Sequence, residues 1–142
     1  MPHSDPVNWQ PISKMPLIAR MIDGALDDTR IHLETLTQAR TRPHVLDDAT
    51  IDRSKKVHAE QLEFVDIYAQ QISHWRTERP SADQTRELDR MEKQNQQLRA
   101  VTQEVLALGS ELRNGTIDRI IGMSDIELGL QALLGSRLAR RR

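Results

Sequence analysis

Between residues 88 and 112 a mostly apolar set of positions returns in alternating steps of three and four. They are Leu88, Met91, Asn95, Leu98, Thr102, Val105, Gly109 and Leu112. A spacing that averages 3.5 keeps one edge of a helix turned toward a neighbour, so this is a heptad seam. It predicts a long third helix packed on other helices. Ser81 followed by Gln84 is a capping box that starts this helix, each side chain satisfying the other's free backbone N–H. Asn114–Gly115 is expected to end it, because Gly enters the left-handed cap conformation without a Cβ penalty.

Two stripes precede that seam. Leu17, Ile18, Met21, Ile22, Ala25, Leu26, Thr29, Leu33 and Leu36 form a wide apolar band at helical spacing. Ser13 is the expected cap, Pro16 fits the first turn, and Pro43 follows the expected end near Arg40. Gly24 lies inside this helix at a cost of about 1 kcal/mol relative to Ala, and could allow a close helix–helix approach. The second helix has Asp47, Asp48 and Thr50 as candidate caps and a stripe of Ile51, His58, Leu62, Val65, Ala69, Ile72 and either Trp75 or Arg76, ending before Pro80.

The end of the chain changes character, with four of the six glycines at Gly115, Gly122, Gly129 and Gly135. Thr116–Ile121 reads as one or two turns. Ser124 and Glu127 form a second capping box ahead of Ile126, Leu130, Leu133 and Leu134. No segment alternates with period two, so no strand is expected. The fold class is therefore all-α: an antiparallel bundle of three long helices plus two short C-terminal helices, four-helix-bundle-like. Residues 1–12, with Pro2, Pro6 and Pro11, are expected to be an extended segment, residues 13–135 a single helical domain, and residues 136–142 a basic, disordered tail.

Composition narrows the function. Aromatics make up 3% of the chain, so the core is built from aliphatic side chains, which suits helix packing. The formal net charge of −1 supplies no general attraction to nucleic acid or anionic membrane. Cysteine is absent, which removes disulfide and thiolate chemistry. No apolar run approaches the ~18 residues of a membrane span, and a cytoplasmic location is the default expectation. Gly-rich phosphate loops, a nucleophile elbow and His-Glu-x-x-His are all missing.

The candidate chemistry comes from register. In antiparallel hairpins with turns near residues 45 and 80, His32, His58 and Thr102 come level, with Thr29 one turn away. Two imidazoles on facing helices could bind a metal or a haem iron, and Asp28, four residues before His32, is the one nearby acid to add. The competing reading is a buried, hydrogen-bonded polar layer that fixes register. Asn95 invites the same pair of readings. Asp23, Asp27 and Asp28 form an acidic patch, read first as a solvated helix face. Arg137, Arg140, Arg141 and Arg142 make a basic tail without interleaved aromatics.

The leading expectation is a non-enzymatic interaction or regulatory module that self-associates, as a homodimer, since Phe64, Ile67, Val101 and Leu108 fall off the main stripes and suggest a second buried face. No cofactor is expected on this reading. The alternative is a metal- or small-ligand-binding bundle with its site at His32, His58 and Asp28.

Overall fold

In the computed structural model, which describes residues 8–42 and 46–121, the chain is three helices packed on one another: α1 (Met15–Thr41), α2 (Asp48–Arg76) and α3 (Ala82–Ile121). A single 3-10 turn, Ile12–Lys14, leads into α1. No strand occurs among the described residues.

Local signals account for most helix ends. Asp47 caps α2, its Oδ1 accepting from the Thr50 N–H at 2.8 Å. Ser81 and Gln84 make both bonds of the capping box at the start of α3, at 2.9 and 3.1 Å. Arg79, just before Pro80, takes φ 53, which turns the chain between α2 and α3. Two expectations are corrected. Ser13 does not cap α1. Lys14 holds the N-cap position without a side-chain bond, because the 3-10 turn already supplies Lys14 N–H to the Pro11 carbonyl at 2.8 Å. Asn114–Gly115 does not end α3, which runs on to Ile121. Arg113 is tied to Asp48 at 2.5 Å and Asp52 at 3.0 Å, so the turn before Gly115 is held and the helix propagates through it.

Every α3 seam residue from Leu88 to Gly109 is buried, and Leu112 is half-buried. The structure shows that α1 and α2 carry seams of the same period. On α1 it runs Met15, Ala19, Ile22, Leu26, Thr29, Leu33, Leu36. On α2 it runs Ile51, Ser54, His58, Gln61, Val65, Tyr68, Ile72, Trp75. Leu17 and Met21, expected in the core, are instead exposed, because the inner seam passes between them. Val101 and Leu108 are buried within the bundle, whereas Phe64 and Ile67 are exposed.

α3 is the common wall. It packs closely on both α1 and α2, while the backbones of α1 and α2 stay farther apart. Lys55 and Ile51 of α2 lie over Gly109, where an added Cβ would come within 3.0 Å of Lys55 Cγ. Cross-helix bonds fix the pairing order. From α1 to α3, Asp23 meets Arg90, Arg30 meets Gln97 and Arg40 meets Glu111, in the same chain order. From α1 to α2, Thr29 meets Gln61 and His32 meets Ser54, in opposite order.

The start of the described chain is tied to α2. The Gln10 carbonyl accepts from the indole N–H of fully buried Trp75 at 2.8 Å, and the Gln10 N–H donates to Gln71 Oε1 at 2.8 Å. Trp9 lies flat on the His74 ring, centroids 4.3 Å apart. The first of the two short helices expected after Gly115, Thr116–Ile121, is instead the end of α3. Pro43, the second capping box, the second short helix and the arginine tail lie outside the described residues, as do residues 1–7. No helix among the described residues is long and apolar enough to cross a membrane.

Candidate functional site

Where the inner seams turn polar, the three helices share hydrogen bonds. Thr29 and Thr102 each donate to the carbonyl four residues back, Ala25 and Leu98, both at 2.6 Å. That leaves each hydroxyl oxygen free to accept. Gln61 of α2 fills both, its side-chain amide donating to Thr29 Oγ1 at 2.9 Å and to Thr102 Oγ1 at 2.8 Å. One residue from each helix thus meets in a closed polar layer, with Thr102 fully buried.

One turn along lie the histidines. His32 and His58 stack with centroids 4.8 Å apart and planes 20° from parallel. His58 Nδ1 donates to the Ser54 carbonyl at 2.7 Å, and His32 Nε2 pairs with the Ser54 hydroxyl at 2.6 Å. Burial, reinforced by the neighbouring His58, holds the His32 pKa below the ordinary histidine value. The register argument therefore places His32 beside His58, but Thr102 belongs with Thr29 and Gln61 rather than with the imidazoles.

Of the candidate metal ligands, the structure brings the two histidines together and leaves Asp28 exposed, its side chain with no ion-pair or hydrogen-bond partner among the described residues. Stacked rings direct their in-plane nitrogen lone pairs along near-parallel planes. A shared ion at ~2.0–2.1 Å from each nitrogen requires one ring to turn and give up its bond to Ser54. Among the described residues, no group of three or more His, Asp or Glu side chains is placed to hold a metal ion. The acidic patch is split: Asp23 is gripped by both terminal nitrogens of Arg90 at 3.0 Å and by Gln94 at 3.2 Å, while Asp27 and Asp28 have no such partner among the described residues.

Asn95 is a half-made contact. Its Nδ2 donates to the Val65 carbonyl at 3.0 Å, but its buried Oδ1 has no partner.

Outside the polar layer, α1 and α2 diverge enough to leave a groove lined by Ala25, Val57, Gln61, Phe64 and Tyr68, with Leu98 of α3 at its floor. Gln61 and Ser54 escaped the sequence reading although the signal was present, since both stand on the three-four spacing of the α2 seam. No family model, curated protein or solved structure matches the chain.

Proposed function

We propose that this chain is a non-enzymatic helical interaction module that works by self-association. The observation that carries the reading is the division of its apolar surface. The interior is closed by a satisfied polar layer, while Phe64, Ile67, Val57, Met21, Leu17 and Ile31 stand out in water on α1 and α2. Large apolar side chains gathered on one side of a small domain mark a surface that docks. The helices are read as successive antiparallel neighbours, and the reversed order of the α1–α2 bonds supports this. The proposed working location is the cytoplasm, in keeping with the cysteine-free composition. Multi-angle light scattering at tens of micromolar, a range in which modest interfaces still associate, tests the reading: a dimer supports it and a monomer rejects it.

The stacked His32–His58 pair favours one second reading, a bundle that takes up a metal or small ligand there. Metal analysis of the purified chain and of His58→Ala separates the two. Stoichiometric metal lost in the variant supports the second reading, and metal-free protein with no spectral response to haem removes it.

A further inference from the structure

The exposed apolar residues are not scattered. On α1 they stand at 17, 21, 24, 28 and 31, an outer seam of Leu17, Met21, Gly24, Asp28 and Ile31. On α2 they stand at 57, 64 and 67, an outer seam of Val57, Phe64 and Ile67 with exposed Glu60 between the first two. The apolar members are 44–64% exposed. The Thr29–Gln61 and His32–His58 contacts set the register between the two helices. Gly24 therefore lies about level with Phe64, Met21 with Ile67, and Ile31 with Val57. From Leu17 to Ile31 the face is about 21 Å long, and two helices of ~10 Å make it about as wide. Its flat footprint is roughly 400 Å², about half of the ~800 Å² per partner of a standard interface, which suits a weak dimer.

We propose that this outer side of α1 and α2 is where a second copy of the chain docks, about a two-fold axis at Gly24 that runs α1 against α1 in opposite directions. The inference rests on the self-association reading above and says which face carries it.

Three observations select a second copy. The first is Gly24. A glycine inside a helix weakens it, and here an added Cβ would meet nothing within 4 Å, so nothing within the described fold calls for one. A helix crossing at Gly24 can approach closely. The second is symmetry about that residue. Leu17 and Ile31 stand seven residues to either side, and Arg20 and Asp28 four residues to either side. In an antiparallel crossing Leu17 meets Ile31 of the other copy, and Arg20 comes level with Asp28, with Asp27 beside it. The third is charge. The α1 charges that face α3, such as Asp23 and Arg40, are paired within the chain. Arg20, Asp27 and Asp28 have no ion-pair partner among the described residues. A mirrored set of unpaired opposite charges complements itself, whereas an unrelated helix has no use for the mirror. Phe64, level with the axis, meets its own counterpart beside the two glycines.

Sedimentation velocity on the full chain at about 50 µM, within the range of weak dimers, tests this with four variants. The wild type is expected to be a dimer. Phe64→Glu and Gly24→Gln are expected to be monomers, with thermal midpoints no lower than that of wild type diluted until it too is monomeric, since both positions face water and association itself raises the midpoint of concentrated wild type. Arg20→Asp and Asp28→Arg are each expected to weaken association at least tenfold, and an equimolar mixture of the two to recover it, because only the mixed pair restores both opposite-charge contacts.

A dimer that survives Phe64→Glu and Gly24→Gln overturns the face assignment and leaves self-association standing. A monomeric wild type overturns both; if Phe64→Glu then lowers the midpoint by several degrees, another part of the same chain covers the face. Loss of the dimer in Phe64→Glu without recovery in the charge-swapped mixture overturns the antiparallel two-fold.

Discussion

His32 and His58 stack face to face between α1 and α2, 4.8 Å between ring centroids, and both bond to Ser54. The pair sits where neither a charge nor a ring rotation is cheap, which gives it a pH signature.

The folded chain disfavours protonated His32, first through burial and then through His58. The unfolded chain therefore binds that proton more readily. Stability from this source is complete above the ordinary histidine value of about 6.5 and declines as pH falls below it, levelling off beneath the folded pKa. Urea titrations between pH 7.5 and pH 5 are expected to show the decline. His32→Gln is expected to flatten it.

Gln61 holds Thr29 and Thr102 together, so Gln61→Ala removes two bonds. Each threonine hydroxyl keeps its own carbonyl and loses only an incoming donor. The expected cost is about 2 kcal/mol in chemical denaturation, roughly 1 for each bond. Replacing Gln61, Thr29 and Thr102 together by Leu, Val and Val is expected to be near neutral, because no polar atom is left stranded.

Asn95 satisfies its amide hydrogen but not its carbonyl oxygen. Asn95→Leu, which keeps the branching and the number of side-chain heavy atoms, is expected to raise stability by about 1 kcal/mol, since it removes a buried orphan from the seam. An unchanged or lower midpoint would show that register, not desolvation, governs this position.

Asp23 is held below the usual carboxylate range chiefly by its hydrogen bonds from Arg90, with Gln94 and the Arg90 charge adding to them against burial. Its contribution is present above about pH 4 and is lost as pH falls through the lowered folded value. Asp23→Asn is expected to cost up to about 1 kcal/mol at neutral pH, because the pair is partly exposed though bidentate. That cost should shrink at high salt.

The seam from Leu88 to Leu112 was legible because α3 has one buried edge and polar residues elsewhere. The first helix was not, since its apolar band holds two seams side by side, and Leu17 and Met21 belong to the outer one. Periodicity alone cannot separate an edge that meets α3 from an edge that meets nothing in the chain. The stacked histidines were legible from hairpin register. Gln61 was not, because Leu62 next to it fits the same three-four spacing between His58 and Val65 and is the apolar one of the two. The run of α3 through Gly115 was hidden because a cap signal states a local preference, and the ion pairs of Arg113 that override it are tertiary.

Because α1 and α2 each lean closely on α3 while their own backbones stay farther apart, α3 is the spine to which the other two helices are bound. The outer margins of α1 and α2 can loosen by breaking the Gln61–Thr29 and His32–Ser54 bonds while the apolar core shared by all three helices stays shut. Amide exchange is expected to be slowest in the middle of α3, around Leu98 to Val105, and faster on the facing edges of α1 and α2.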